Sequence, residues 1–573
     1  MVVKKKTIKI FGVAGSGKTT RCLEFIKNFL NEKYFIEEIT FTTFTNAGLK
    51  SMKEKLENEG IELPYKNNFK TLNSLTWKLS GFTMAEIIKN SERNKFFKSI
   101  HIKTSKNENV EFSEAESIID LYNKILNSEG KKLEDINNNV VKDYVRRYIE
   151  VNNTNILPFN ILLTGLYLYN KWKNTNGKKD YVDSFIHVIE NKIDIETPVL
   201  IVDEAQDLSK VQTMLIDLWT KEYDREVFMI CGDDDQTIYE WNGASPKYLI
   251  EYTNENLEVI KLERSYRIPK KISLFLNNIL KTIKYREKKE INTGKEGGVL
   301  KYYSLSEFKL CEMLKSHIDK EKTNFILCRT NYIKNKVSNL LFKETNIFFN
   351  ELGQNFCGKW SEKFVILCNV LNKIDKRVFY LDYREVEVLF ECLPEKTCLE
   401  EGSLNWLKNK KGKIKTEEVL SRTIWKDSIN LAGFIENSIS LKDRMIRYIE
   451  YKKSVGYKDI VENDLYKKKL MMQKNIIPFN YNEGVVKSNV FLGTFHSSKG
   501  LEAYNVFVFL GTSRHFNIID DSEKRVFYVS CSRCLNSLTF IGSSMLGDEM
   551  FGLENEFLKT IISHIQEKNI VEV

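Results

Sequence analysis

The chain has 573 residues, with 87 Lys and Arg against 78 Asp and Glu for a formal charge of +9; 42% of the residues are hydrophobic and 29% charged. That length exceeds what one hydrophobic core organises, and the balance excludes a disordered chain, so about two to four folded domains are expected. No uncharged apolar run approaches the roughly 20 residues that a membrane-spanning helix needs, and the small basic excess fits either a polyanionic partner or an ordinary basic enzyme.

From the N-terminus, Thr7–Phe11 reads as a buried strand, followed by a glycine-rich turn and a helical pattern over Thr19–Phe29. Met1–Lys6 leads into that strand without the pattern of a signal peptide, and the ten Cys show no disulfide framework, so a cytoplasmic protein is expected. Glu38–Thr42, Pro198–Val202 and Val227–Cys231 are further apolar or β-branched strand candidates. A second set follows at Gly298–Tyr303, Asn324–Cys328, Asn489–Leu492, Asn505–Leu510 and Ser537–Ile541. The spacing predicts an α/β protein with two lobes, each built on a parallel sheet and interrupted by a mainly helical insertion. The first domain is expected over 1–79 and 193–260, with its insertion at 80–192. The second is expected over 261–374 and 488–573, with its insertion at 375–487. That second insertion carries the basic run Lys408, Lys410, Lys411, Lys413 and Lys415, read either as a solvated loop or as a contact to duplex. A short helical tail, Asn555–Lys568, is expected at the end, with no nuclease constellation attached.

Gly12-Val13-Ala14-Gly15-Ser16-Gly17-Lys18-Thr19, followed by Thr20, fits the Walker A pattern. The glycines let backbone N–H groups converge on phosphates, Lys18 reaches the β- and γ-phosphates, and Thr19 can ligate Mg²⁺. ATP is the expected substrate. Asp203-Glu204 follows the apolar strand at its carboxyl end, which suits Asp203 to Mg²⁺ and Glu204 to polarising the attacking water.

Later blocks give these residues company. Gly232-Asp233-Asp234-Asp235-Gln236-Thr237-Ile238-Tyr239-Glu240-Trp241-Asn242-Gly243-Ala244 closely resembles motif III of the UvrD/Rep/PcrA type of superfamily 1 DNA helicase. Thr43-Phe44-Thr45-Asn46, Leu262-Glu263-Arg264-Ser265-Tyr266-Arg267, Thr494-Phe495-His496-Ser497-Ser498-Lys499-Gly500-Leu501-Glu502 and Tyr528-Val529-Ser530-Cys531-Ser532-Arg533 resemble motifs Ia, IV, V and VI, in that order. The resemblance implies two RecA-like P-loop domains with ATP between them and single-stranded DNA across both. Gln236 would then sense the γ-phosphate, Arg267 and Arg533 would neutralise charge developing in phosphoryl transfer, Tyr266 would stack on adenine and Glu502 would approach the ribose. Phe44 and Trp241 would stack on bases, although an aromatic in such a lobe is otherwise a core residue. Thr45, Asn46, Ser74, Thr494 and His496 would donate to phosphates, with a structural role as the alternative for His496.

The implied activity is ATP-driven 3′-to-5′ movement along single-stranded DNA, with unwinding at single-strand/duplex junctions and the insertions as the place for a protein partner. Two rivals are a DNA-stimulated motor subunit of a defence or recombination complex without stand-alone unwinding, and a nucleotide-switched nucleic-acid-binding module. The sequence departs from the family in three places. No Gln precedes Gly12, which opens the adenine specificity. Asn242 stands where Arg is usual, and Cys531 and Cys534 form a Cys-x-x-Cys expected to be two ordinary buried thiols, as are Cys392 and Cys398.

Overall fold

The computed structural model describes residues 5–104, 113–152, 157–223, 225–254, 256–304, 307–319, 321–344, 349–352, 366, 370, 373, 378–392, 399–423, 479–480, 484–485, 489–510 and 520–542. The tail 555–568, the Cys392 and Cys398 thiols and most of the second insertion lie outside the described residues. The chain divides into two compact units, one comprising Met1–Leu305, Leu327–Ile333 and Thr494–Val573, the other Ser306–Ile326 and Lys334–Gly493.

The first unit holds a six-stranded parallel sheet formed by β1 (Lys6–Gly12), β2 (Ile39–Thr43), β3 (Asn68–Thr71), β4 (Val199–Val202), β5 (Val227–Gly232) and β6 (Leu257–Leu262), in the order β3-β2-β4-β5-β1-β6. Successive side chains on a strand face opposite ways, so each strand feeds two cores. Ile8, Ile10, Val199, Ile201, Met229 and Cys231 pack with Cys22, Ile26 and Phe29 of α1 (Lys18–Glu32) and with Met52 and Leu56 of α2 (Asn46–Asn58). The alternate positions Phe11, Leu200, Val202, Phe228 and Ile230 join a larger cluster with the helices between residues 72 and 217. A sheet covered on both faces needs near-continuous apolar strands, which is why β1, β4 and β5 were legible as such.

β3 and β6 were not anticipated. β6 exposes Glu258 and Val259 and β3 has only Phe69 and Thr71 buried, because each is an edge strand whose pattern is diluted by solvent-facing residues. The other strands begin or end within a few residues of the expected positions.

After α3 (Leu72–Ser80), the described residues up to 192 form helices α4 (Asn90–Ser99), α5 (Glu114–Glu129), α6 (Asn138–Asn152), α7 (Phe159–Thr175) and α8 (Tyr181–Glu190), with one isolated bridge pairing Ile87 with Lys179. α5 starts at a capping box, in which the Ser113 hydroxyl accepts from Glu116 N at 3.2 Å and Glu116 accepts from Ser113 N at 2.9 Å. The same unit contains three strands of a second parallel arrangement: Val299–Ser304 pairs with Cys534–Gly542, which pairs with Ala503–Phe509.

In the second unit, Asn350–Glu351 pairs with Phe491 and Leu492, and Tyr380–Asp382 pairs antiparallel with Lys413–Lys415. Only the middle of the basic run, Lys410 to Gly412, is therefore loop. Lys408 ends the helix Ser403–Lys408, Gly412 turns the chain at φ 70°, and Lys413 and Lys415 sit exposed on a short strand, with Lys410 bonded to Glu418 at 2.7 Å. Turn chemistry at Gly412 and the ladder to Tyr380–Asp382 override the polar composition. Among the described residues no helix is long and apolar enough to cross a membrane.

Candidate active site

The phosphate loop runs from the end of β1 into α1. Gly15 and Gly17 take φ of 71° and 81°, open to glycine at little cost. A Cβ on Gly15 would stand 2.5 Å from the Arg267 Cβ, so the segment after β6 requires a glycine there. That segment lies along the loop: Val13 N donates to Leu262 O at 3.0 Å, Ser265 Oγ to Ala14 O at 2.8 Å and Tyr266 N to Gly15 O at 2.9 Å. Ser16 and Thr20 complete the loop and the first turn of α1, Ser16 buried and Thr20 exposed. Lys18 Nζ donates to the carbonyls of Gly12 at 3.0 Å and Val13 at 3.3 Å and lies 4.0 Å from Asp233.

At the carboxyl end of β4, Thr19 Oγ1 donates to Asp203 Oδ2 at 3.0 Å. Burial, with the adjacent Glu204 charge, pushes the Asp203 carboxyl up to about 6. Glu204 has φ 57°, a left-handed conformation unusual for a residue with a side chain, and its carboxylate accepts from Gln206 Nε2. Burial opposes its charge, but Lys499, Lys18 and the Gln206 bond outweigh that and hold it below the ordinary carboxylate value. Hard oxygen donors from Thr19 and Asp203 converging on one point suit Mg²⁺.

Gln236 joins two of the expected elements. Its Nε2 donates to Asp233 Oδ2 at 2.6 Å, and its Oε1 accepts from Arg533 Nη2 at 2.8 Å. Arg533 is 1% exposed and also bonds Val529 O and the Ser532 hydroxyl, each at 2.8 Å. Burial, with Arg267 adding to it, pulls its guanidinium down to about 9. Arg267 is instead half-buried and donates to Glu502 at 2.8 Å. The Tyr266 ring is exposed, with Arg264 over it at 5.3 Å.

Several participants were not singled out from the sequence. Lys499 bonds the Asp207 carboxylate and donates to Gln236 O at 2.7 Å; burial pushes Asp207 up to about 7 against the pull of Lys499. Gln206 Oε1 accepts from Asp233 N at 3.0 Å. Fully buried Lys289 bonds Asp234, reaches Asp235 at 2.7 Å and lies 3.1 Å from Asp233, while Arg286 grips Asp235 through two bonds of 2.8 Å. Asp233 and Lys499 stand inside the motif blocks already read, and Gln206 and Asp207 follow within three residues of Asp203-Glu204. Lys289 and Arg286 follow more than fifty residues after the aspartates they hold, with no local pattern to mark them.

The nucleic-acid candidates are less tightly organised. Phe44 is half-buried with its ring centroid 5.1 Å from that of Tyr239, over which Lys499 sits at 5.2 Å. Thr45 caps α2 by accepting from Gly48 N at 3.1 Å, Asn46 and Ser74 are exposed, and Ser74 accepts from Thr71 Oγ1 at 3.0 Å. Thr494 Oγ1 accepts from Ser497 N at 3.2 Å. His496 is half-buried, and burial, with Arg329 nearby, pulls its imidazole down to about 4. Trp241 falls in the short helical turn Glu240–Asn242, and Asn242 Oδ1 accepts from Asn127 of α5 at 3.1 Å. Cys531 and Cys534 are buried free thiols, as expected.

Residues 1–256 match the family model described as the UvrD/REP helicase N-terminal domain. A probable DNA helicase II homolog of Mycoplasma capricolum is 29% identical over 322 residues, covering 51% of this chain and 41% of that protein. An ATP-dependent DNA helicase Rep of Buchnera aphidicola is 25% identical over 626 aligned positions, covering 93% of this chain and 90% of the relative. An ATP-dependent DNA helicase PcrA of Staphylococcus epidermidis is 24% identical over 643, covering 96% and 84%.

Proposed function

We propose that the chain is a helicase of the UvrD/Rep/PcrA type of superfamily 1, and that it couples ATP hydrolysis to 3′-to-5′ movement along single-stranded DNA, displacing the complementary strand at a duplex junction. The observation that carries this reading is Gln236, whose amide is held between Asp233 beside Lys18 and the buried Arg533. A group so placed responds to the γ-phosphate and passes its presence to an arginine more than 290 residues away in the chain.

Thr19 and Asp203 would hold Mg²⁺, which when bound neutralises phosphate charge. Glu204 orients and deprotonates the attacking water, kept ionised by Lys499 and Lys18. Lys18 leaves the Gly12 and Val13 carbonyls for the phosphates, and Arg533 and Arg267 balance charge on the transferred group. Tyr266 offers an exposed ring to adenine, with Glu502 beside Arg267 toward the ribose. Phe44 and Trp241 stack on bases, and Thr45, Asn46, Ser74, Thr494 and His496 meet phosphates. We assign the first RecA-like domain to 1–79 and 193–260 with its insertion at 80–192, and the second to 261–374 and 488–573 with its insertion at 375–487.

The test is the steady-state ATPase rate with single-stranded DNA, with single-stranded RNA and with neither, on the intact chain and on Glu204→Gln. The expected result is stimulation by DNA, with the rate falling about 10²- to 10⁴-fold in the variant. Equal rates with and without DNA would overturn the motor reading. Stimulation without unwinding of a tailed duplex would reduce it to a translocating ATPase.

A further inference from the structure

Cys22 and Cys231 lie directly behind the phosphate loop and take no part in the chemistry above. Cys22 is one helical turn beyond Lys18 on α1, on the face that carries Ile26 and Phe29 against the sheet. Cys231 is the penultimate residue of β5, on the same sheet face as Val227 and Met229. β4 and β5 are parallel neighbours with Val202 opposite Ile230, so the next residue of each, Asp203 and Cys231, are also side by side. Alternation along β4 puts Val199 and Ile201 toward α1, and Asp203 continues that parity. Three elements thus deliver two thiols and a carboxylate to one point. Their ligand atoms all lie within 4.8 Å of one another, both cysteines are fully buried, and Asp203 is 3% exposed.

We propose that Cys22, Cys231 and Asp203 form an inhibitory site for a thiophilic divalent cation of the Zn²⁺ class, which captures the carboxylate that the Mg²⁺ site needs. Tetrahedral Zn²⁺ with bonds of about 2.3 Å to sulfur sets ligand atoms roughly 3.8 Å apart, so closure needs movements of about 1 Å or less. Thiols select against Mg²⁺, which takes oxygen donors. On binding, two metal–sulfur bonds form, the two thiol protons pass to solvent and nothing is oxidised. Capture of Asp203 removes the acceptor of the Thr19 hydroxyl and with it the hard-oxygen pair. The inhibitory effect rests on the proposed role of Asp203, whereas occupancy of the site does not.

The experiment uses the intact chain, Cys22→Ala and Cys231→Val. Co²⁺ is titrated while the near-ultraviolet thiolate-to-cobalt charge-transfer band is followed, and ATPase is measured at fixed Mg²⁺ across chelator-buffered Zn²⁺. The expected result is a band in the intact chain that is weakened in both variants, and half-inhibition moved to at least about tenfold higher Zn²⁺ in each. A band of equal strength in all three proteins, or no band, overturns the site. A band with inhibition curves that coincide overturns the capture of Asp203. An intact chain with no ATPase but a cysteine-dependent band would defeat the motor reading and leave the metal site standing.

Discussion

Around the proposed nucleotide pocket, charged groups hold one another out of water. Arg533 is committed to Gln236, Lys499 to Asp207 and the Gln236 carbonyl, and Lys289 to three aspartates, with every one of these acceptors buried. Along the proposed nucleic-acid face the polar groups are exposed or satisfied by near neighbours: Thr45 by Gly48, Ser74 by Thr71 and Thr494 by Ser497. A buried network fails as a whole when one member is removed, because its partners keep their desolvation cost. A face of local, solvated groups loses only the contact that is deleted. The pocket should therefore answer mutation steeply and non-additively, the face gently and nearly additively.

The steepest response is expected from Arg533→Ala, which should lower kcat by about 10³-fold or more, the range for an arginine that neutralises phosphoryl-transfer charge. Single-turnover hydrolysis reads it directly. A loss under tenfold would mean that the Gln236 contact is structural, and the contrast between pocket and face would collapse. Lys289→Met comes next and reads out stability. With Asp233, Asp234 and Asp235 uncompensated, unfolding in urea should be easier by roughly 3–5 kcal/mol. A change below about 1 kcal/mol would show the aspartates sharing protons instead of relying on the lysine. On the face, Phe44→Ala should weaken single-stranded DNA binding by about 1–3 kcal/mol, the usual worth of one base stacked on an aromatic ring. Fluorescence anisotropy checks it, and unchanged affinity would return Phe44 to a purely packing role against Tyr239.

The same contrast governs what could be read before the structure. Gly12 to Thr19, Asp203-Glu204 and the run from Gly232 to Ala244 are contiguous, and chemistry that depends on adjacent residues is written in order. The buried strands β1, β4 and β5 were equally plain because burial on both faces demands unbroken apolar runs. Edge strands β3 and β6 were hidden, since one solvated side breaks the run. Lys289 and Arg286 were hidden for another reason: a clamp formed across more than fifty residues has no period and no spacing, and each looks like one more cation in a basic chain. The nearness of Cys22 to Cys231 likewise follows from strand register and helix packing, which local pattern does not contain.

His496 and Asp207 approach Lys499 from the two regions being compared and respond to pH with opposite sign. The His496 imidazole is held down to about 4 in the folded chain against an ordinary 6.5. Its contribution to stability is therefore present above 6.5 and is lost as pH falls toward 4, with a ceiling of about 3 kcal/mol. Asp207 is pushed from 3.8 up to about 7, so its contribution is present below 3.8 and is lost as pH rises toward 7. Between pH 4 and 6.5 the two slopes oppose each other. Relative to the parent, His496→Asn should make stability fall more steeply, or rise less, as pH increases through that window, and Asp207→Asn should do the reverse; urea titrations at several pH values measure both. With its imidazole held down to about 4, the proposed contact of His496 with a phosphate would be a hydrogen bond without charge at neutral pH. The salt dependence of DNA binding should then keep its slope in His496→Asn, and a slope reduced by about one would show that the nucleic-acid face recruits a charge which the folded chain alone suppresses.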